Sequence, residues 1–364
     1  MKPQVKQLFP FALFAVAAVA VQLVLRATEK EYYLTQLTMS VYYAIVVMGL
    51  CLVMGYAGQV SLGHGAFFAI GGYTSAVLTT YDFSRFRGAA WAGLLERAHV
   101  FVAKEDLYGG QIMTVSPWAA FVSAMIVTLL VAMLIGYPAL RLRGHYLAMA
   151  TLGFGLIVNK MVLGSAITGA ADGIHGVPEW QLGFGLTVSG KRALRAENYY
   201  IACGLALLLL VLLRNLIHSR VGRALQAIHD RETAANAMGI NTATYKLKAF
   251  VLSAMMAAVA GVFFTHYTAG IGPSEAGALK SVRYVALAAA GGMASLWGVT
   301  ALSTTLNFLS LRGLFGSYDH AVFGAILILI ISLAPDGPLK PLGAWLRRLA
   351  DRLAKERRPK HGTA

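Results

Sequence analysis

The sequence predicts an all-α, polytopic membrane protein that forms a single domain over residues 1–364. Hydrophobic residues make up 57% of the chain and charged residues only 13%, more apolar surface than a soluble domain of ordinary composition carries. The apolar residues are collected into runs near the roughly 20 residues that a helix needs to cross a bilayer. Because the bilayer core contains no water to bind backbone amides, these runs are expected to be helices.

Nine apolar runs are apparent, and the eighth is long enough to hold two helices. Its interior, residues 291–298, is rich in small residues at which a helix can break, so we expect about ten transmembrane helices, within a range of eight to ten. The first run could instead be a cleaved signal peptide, but its apolar residues continue past a possible cleavage site, which favours a retained helix. The runs cover residues 8–25, 32–54, 59–80, 117–140, 145–163, 199–217, 249–268, 284–311 and 321–334.

Positive charge is unevenly distributed along the chain, whose formal net charge is +15. Basic residues exceed acidic ones in the segments that would lie on one side of the membrane, whereas the segments between them, including 269–283, are nearly neutral. The positive-inside rule then places both termini in the cytoplasm. This charge is explained by topology and lipid contact, so no nucleic-acid partner is expected. The basic segments are residues 1–7, Arg141 with Arg143, residues 220–248 and the tail 336–364.

The most informative stretch is a polar segment between two apolar runs, residues 219–241. Ser219 is a good N-cap, and a single helix starting there would carry an apolar stripe with Glu232 in its middle. An unpaired acid on an apolar face is costly to bury, so either Glu232 meets a donor from a partner or the helix breaks near Asp230. Gly239 is expected to end the segment.

Several polar residues could line a path through the membrane, although none is specific by itself. The third run begins with closely spaced glycines, a serine and a histidine, and the end of a broken helix in a membrane cavity attracts anionic groups. The same glycines could equally permit tight helix crossing, with the histidine bonded to a neighbouring carbonyl. The tentative path residues are Gly58, Ser61, Gly63, His64, Asn159 and Asn307.

Common catalytic and metal-binding motifs are missing from the sequence. There is no phosphate-binding G-x-x-x-x-G-K-[ST] loop, so the chain is not expected to hydrolyse ATP or to bind a cofactor. H-E-x-x-H, C-x-x-C and G-x-S-x-G do not occur either, which argues against a catalytic residue or a metal site. Acidic residues are scarce in the apolar runs, and a proton-coupled carrier is therefore disfavoured.

Residues 232–239, Glu-Thr-Ala-Ala-Asn-Ala-Met-Gly, resemble the E-x-A-A-x-x-x-G cytoplasmic loop of ABC-importer permeases. Other stretches are similar to the branched-chain amino acid permeases of the LivM type, in that family's order along the chain. These stretches are residues 58–68 (Gly-Gln-Val-Ser-Leu-Gly-His-Gly-Ala-Phe-Phe), 140–146 (Leu-Arg-Leu-Arg-Gly-His-Tyr), 171–174 (Ala-Asp-Gly-Ile), 222–228 (Gly-Arg-Ala-Leu-Gln-Ala-Ile) and 295–298 (Ser-Leu-Trp-Gly).

The resemblance implies a permease subunit of the bacterial inner membrane without catalytic residues. Its expected partners are a homologous second permease, two ABC ATPases that hold ATP and Mg, and a periplasmic substrate-binding protein. The segment 218–248 would be the ATPase-coupling loop. Leucine, isoleucine and valine are the expected cargo, with urea, short amides or other amino acids as alternatives, and a stand-alone secondary carrier is less favoured. The implied coupling residues are Arg223, Asp230, Glu232, Ala234, Ala235 and Gly239.

Overall fold

The computed structural model describes residues 3–84, 100–105, 111–140, 144–183, 185–314 and 316–333. The basic tail 336–364 and the pair Arg141 and Arg143 lie outside these residues. Within them the chain forms twelve α-helices, named here in chain order. The helices are α1 (Pro3–Ala27), α2 (Tyr33–Cys51), α3 (His64–Thr80), α4 (Pro117–Ala139), α5 (His145–Gly164), α6 (Arg195–His218), α7 (Arg220–Asp230), α8 (Glu232–Ala237), α9 (Thr242–Thr268), α10 (Ala278–Ala290), α11 (Leu296–Leu311) and α12 (Asp319–Leu333).

Six of the described helices are long and apolar enough to cross a membrane: α1, α2, α4, α5, α6 and α9. The shorter apolar helices are α11 and part of α12, which brings the apolar helices among the described residues to eight, the lower end of the expected eight to ten. The all-α polytopic class is confirmed. The remaining short helices α3 and α10 lie among them. As expected, the long eighth run holds two helices, and the turn between them is fixed by Tyr56, whose hydroxyl donates to the Ala294 carbonyl at 2.7 Å.

The core of the bundle is formed by α2, α3 and α9. Helix α2 is almost wholly buried and continues beyond Cys51 as a π-helical turn, Leu52–Tyr56. Helices α3 and α9 meet at glycines: a Cβ on Gly71 would lie 2.5 Å from the Ala258 carbonyl oxygen. Small residues at such crossings allow the two backbones to approach closely.

Helices α1, α4, α5 and α6 surround this core and leave much of their surface exposed. The exposed side chains are large and aliphatic, which suits contact with lipid tails. Examples are Val16 on α1, Leu134 on α4, Ile157 on α5 and Leu208 on α6.

Three two-stranded antiparallel sheets lie among the described residues, all at the end of the bundle opposite to α7 and α8. Strand β1 (Phe101–Glu105) pairs with β2 (Gln111–Val115), and β4 (Trp180–Gly183) pairs with β5 (Leu186–Val188). The third sheet joins β3 (Ile174–His175) to β6 (Gly270–Ile271), which follows α9. The connections around residues 81–116 and 164–198 therefore contain strands, which the apolar pattern did not predict.

The structure corrects the start of the third expected helix and decides between the alternatives for residues 219–238. The third run begins to be helical at His64 instead of residue 59, because Gly58 has a positive φ of 66° and redirects the chain before the helix starts. The continuous helix considered for residues 219–238 is divided at Arg231, where the backbone is extended.

We predict that Gly71→Val destabilises the protein by about 1 to 3 kcal/mol, because the added atoms meet the α9 backbone, which cannot move aside as a side chain can. The matched control is Gly204→Val on α6, where a Cβ would meet open space. The measurement is the unfolding temperature of the purified protein in detergent. Equal unfolding temperatures for the two variants would contradict the close packing of α3 on α9.

Candidate coupling segment and buried polar groups

The segment 219–241 folds as two helices and not as one. The Ser219 side chain accepts a hydrogen bond from the Val221 amide at 3.1 Å and caps α7, as its position predicted. Helix α7 ends at Asp230, and α8 begins at Glu232 after one extended residue. Gly239, with φ of 81°, ends the segment. Of the two hypotheses for Glu232, the helix break near Asp230 is confirmed.

Glu232 also has partners within its own chain. Its Oε1 lies 2.6 Å from Lys246 Nζ on the first turns of α9 and 3.3 Å from the Thr242 hydroxyl. Thr242 in turn donates to the Asn236 side chain at 3.1 Å. The acid thus joins the start of α8 to the start of α9, and its compensating charge comes from the same chain.

The rest of the segment presents a large exposed surface. Leu225, Ile228 and Ala235 are buried and hold the segment to the bundle. Met238 is 84% exposed, although it is a large apolar side chain at the end of α8. Methionine is among the residues enriched at protein–protein interfaces. Of the other implied coupling residues, Arg223, Asp230, Ala234 and Gly239 are exposed.

Gly58 contacts the coupling segment directly. A Cβ on Gly58 would lie 2.9 Å from His229 Nδ1, so Gly58 packs closely against α7. Its positive φ also redirects the backbone at this point. A cavity of about 250 Å³ opens beside this contact and is lined by residues 58–60, the start of α5, Glu232 and Lys246. Gly58 therefore lies with the coupling residues at this end of the bundle.

His64 is completely buried at the first residue of α3. Its Nε2 lies 2.6 Å from the Ser253 hydroxyl on α9, and its Nδ1 lies 3.1 Å from the Ser61 hydroxyl. The next residue, Gly65, donates its amide to the Ser281 hydroxyl on α10 at 3.2 Å. The start of α3 is thus bonded to α9 and α10, and Gly63 approaches the Thr151 carbonyl of α5.

The structure overturns one expectation about charge. Residues 269–283 were expected to form a loop outside the spans, but Glu275 is 7% exposed and accepts a hydrogen bond from the Tyr43 hydroxyl at 3.1 Å. Tyr43 lies ten residues after Tyr33, the first residue of α2, and is therefore about 15 Å from the start of that helix at a rise of 1.5 Å per residue. Lys280 forms an ion pair with Glu275 and donates to the Tyr43 hydroxyl at 3.0 Å. The chain after α9 therefore turns back into the bundle before α10 begins.

The two asparagines proposed for the path lie near this returning segment. Asn159 on α5 donates to the Pro273 carbonyl at 3.0 Å and so holds the returning segment in place. Asn307 on α11 donates to the Ser303 carbonyl at 2.9 Å. Its side chain lines a small cavity together with Tyr43, Lys280 and Arg283.

The sequence reasoning missed the charged residues Glu275, Lys280, Arg283 and Asp319 as possible site residues. A signal was present, because the apolar run from residue 284 must hold two helices in 28 positions and α10 can then be only a short helix. Short or interrupted helices are where membrane proteins carry non-helical backbone and polar groups inside the bundle.

A match to a known family decides what kind of protein carries these features. Residues 32–331 match the family described as the permease component of branched-chain amino acid transport systems. The chain belongs to this family. The match runs from the start of α2 to α12 and includes the coupling segment, the returning segment and the buried polar groups.

Individual relatives agree with the family. The chain is 32% identical to the permease protein LivM of Salmonella typhimurium over 83% of its own length and 68% of that protein. It is 31% identical to LivM of Escherichia coli over 92% of its length and 75% of that protein. Identity to the Escherichia coli permease LivH is 26%, over 85% and 96% of the two chains. No solved structure matches the chain.

We predict that Gly58→Val loosens α7 from the bundle, since valine is strained at positive φ and its side chain meets His229. Trypsin should then cleave after Arg231 about fivefold faster than in the unmodified protein, as expected for a loss of about 1 kcal/mol in local stability. The measurement is the rate of limited proteolysis in detergent.

The control for this experiment is Gly176→Val, which imposes similar strain at φ of 76° but has open space around it and lies at the opposite end. An equal increase of cleavage at Arg231 in both variants would show that global instability, and not the contact with α7, is responsible.

Proposed function

We propose that this chain is the permease subunit of an ATP-driven importer that carries leucine, isoleucine and valine across the bacterial inner membrane. The observation that carries this proposal is the coupling segment 219–241, whose exposed surface at one end of the bundle is built around the Glu232 contact with α9. The segment lies in the cytoplasm, as do both termini. Two ABC ATPases bind there and supply the ATP and Mg that this chain has no motif to hold.

Two contacts support a transmission of force from the ATPases to the spans. The first runs from α7 through His229 and Gly58 to the chain that leads into His64 and α3. The second runs from α8 through the ion pair of Glu232 and Lys246 into α9. Since α3 and α9 are also packed on each other, a displacement of the coupling segment moves both core helices together.

The names of the relatives support the proposed partners and cargo. This chain matches both LivM and LivH, permeases of branched-chain amino acid transport systems by name, and this supports pairing with a homologous second permease. A periplasmic binding protein would dock at the opposite end, where the three small sheets lie. The exposed aliphatic faces of the peripheral helices contact membrane lipid.

We predict that the variant Met238→Cys, with its cysteine at the exposed end of α8, forms a disulfide bond to an ATPase subunit that carries cysteines on its membrane-facing surface. The cross-link should be lost on reduction. The native cysteines Cys51 and Cys203 are both buried and give little background. The control is Met161→Cys, which is 67% exposed but lies about 24 Å along α5 from His145, the residue of that helix that borders Glu232. Cross-linking of the control and not of Met238→Cys, read from gel mobility, would contradict the docking site.

We predict that Glu232→Lys and Lys246→Glu each lower ATP-driven leucine uptake by about tenfold, because each places two like charges together at the junction of α8 and α9. The double variant with both changes restores opposite charges and should recover uptake to within about twofold. Uptake is measured in proteoliposomes that contain the permease pair, the ATPases and the binding protein.

Two results of this assay would contradict the proposal. Normal uptake by both single variants would remove the role assigned to the ion pair, and failure of the double variant to recover would mean that Glu232 acts directly on an ATPase. Uptake of urea or acetamide in place of leucine by the unmodified complex would contradict the cargo.

A further inference from the structure

Arg283 on α10 is a guanidinium held inside the bundle with most of its hydrogen-bonding capacity unused. Its Nη1 makes one long contact of 3.4 Å to Asp319 Oδ2. Its Nε and Nη2 are buried and have no hydrogen-bond partner among the described residues. The guanidinium carbon lies 3.9 Å from the centre of the Phe323 ring, which fixes the plane of the group.

Unpaired buried donors are costly on a cation, because they lose their hydrogen bonds to water without gaining others. A purely structural ion pair would be expected to use the Nε–Nη2 edge, because its two parallel N–H groups match the two oxygens of a carboxylate. Asp319 instead contacts Nη1 and also accepts a hydrogen bond from Ser310 at 2.8 Å. The strongest recognition edge of Arg283 is therefore left for another group.

The space beside Arg283 fits such a group. A cavity of about 70 Å³ is lined by Tyr43, Lys280, Arg283, Tyr284, Asn307, Ser310 and Leu311. Tyr284 is 1% exposed, and its hydroxyl also has no partner among the described residues. The cavity accepts a carboxylate and the carbon that bears it, but not a whole leucine side chain. Lys280 also lines this cavity, but its charge is paired with Glu275, so the uncompensated donors belong to Arg283.

We propose that Arg283 binds the carboxylate of the transported amino acid through its Nε–Nη2 edge, with the Tyr284 hydroxyl as an additional donor. The proposal rests on the proposed function for the identity of the cargo. None of the described residues that line the aliphatic groove of about 1040 Å³ between α3, α4 and α5 is charged, so they offer no partner for the charged end of an amino acid. The carboxylate therefore enters the bundle beside α10.

The test compares Arg283→Lys, which keeps the charge but loses the paired N–H edge, with the unmodified complex. The control is Arg312→Lys at the end of α11, where the guanidinium donates to the Tyr33 hydroxyl at 2.7 Å and does not line this cavity. In proteoliposomes, Arg283→Lys should lower the maximal rate of leucine uptake by about tenfold or more, and Arg312→Lys should leave it within about twofold. Uptake by Arg283→Lys at the rate of the control would overturn the proposal.

A second measurement separates binding from folding and from the identity of the cargo. The unfolding temperature of the purified permease pair is recorded with leucine, with 4-methylpentanoate, which has the carboxylate but no amine, and with leucinamide, which lacks the carboxylate. Leucine and 4-methylpentanoate should raise the unfolding temperature of the unmodified protein and of Arg312→Lys, but not that of Arg283→Lys. Leucinamide should raise the unfolding temperature of none of the three. The carboxylate site would be overturned if leucine and leucinamide raised the unfolding temperature equally. It would also be overturned if 4-methylpentanoate stabilised Arg283→Lys as much as Arg312→Lys. Stabilisation by 4-methylpentanoate without any leucine uptake would contradict the cargo while supporting the site.

Discussion

The absence of water from the bilayer core is the constraint on which this structure depends. A polar group inside the bundle can be paired only by the protein or by a ligand, and several observed pairs show how the protein does this. His64 lies between two serine hydroxyls, and Glu275 is matched by Lys280 and Tyr43. Unpaired buried hydroxyls such as those of Tyr42 and Tyr73 also occur among the described residues, but the unpaired edge of Arg283 belongs to a cation and is therefore more costly to leave without a partner.

The same constraint explains how the coupling segment can act on the spans. The α3–α9 contact is made by glycines with backbone against backbone, so the two helices cannot slide past each other without a large loss of packing. A force applied at Gly58 or at Lys246 is therefore shared by both helices. The buried bonds from His64 and Gly65 extend this connection to α10, the helix that carries Lys280 and Arg283.

The class of fold and the special position of segment 219–241 could be predicted from the sequence because they depend on composition and on local signals. Ser219, Gly239 and the break in the eighth apolar run are such signals. The returning segment after α9 could not be located, since its burial depends on contacts of Glu275 with Tyr43, 232 positions earlier in the chain. Likewise, nothing near Glu232 in the local pattern identifies Lys246 on the next helix as its partner.

The charged groups beside α10 also bear on which cargo the bundle suits. Leucine, isoleucine and valine have side chains that need no polar partner in an apolar surrounding, so only their charged ends require compensation inside the protein. Urea and short amides carry no charge, so their carbonyl oxygen would accept hydrogen bonds from the Arg283 edge without neutralising its positive charge. An amino acid brings a carboxylate that pairs with this edge. Its binding therefore offsets the free-energy cost of the unpaired Arg283 donors inside the bundle. The buried arginine is thus easier to explain with an amino acid as cargo than with a neutral amide.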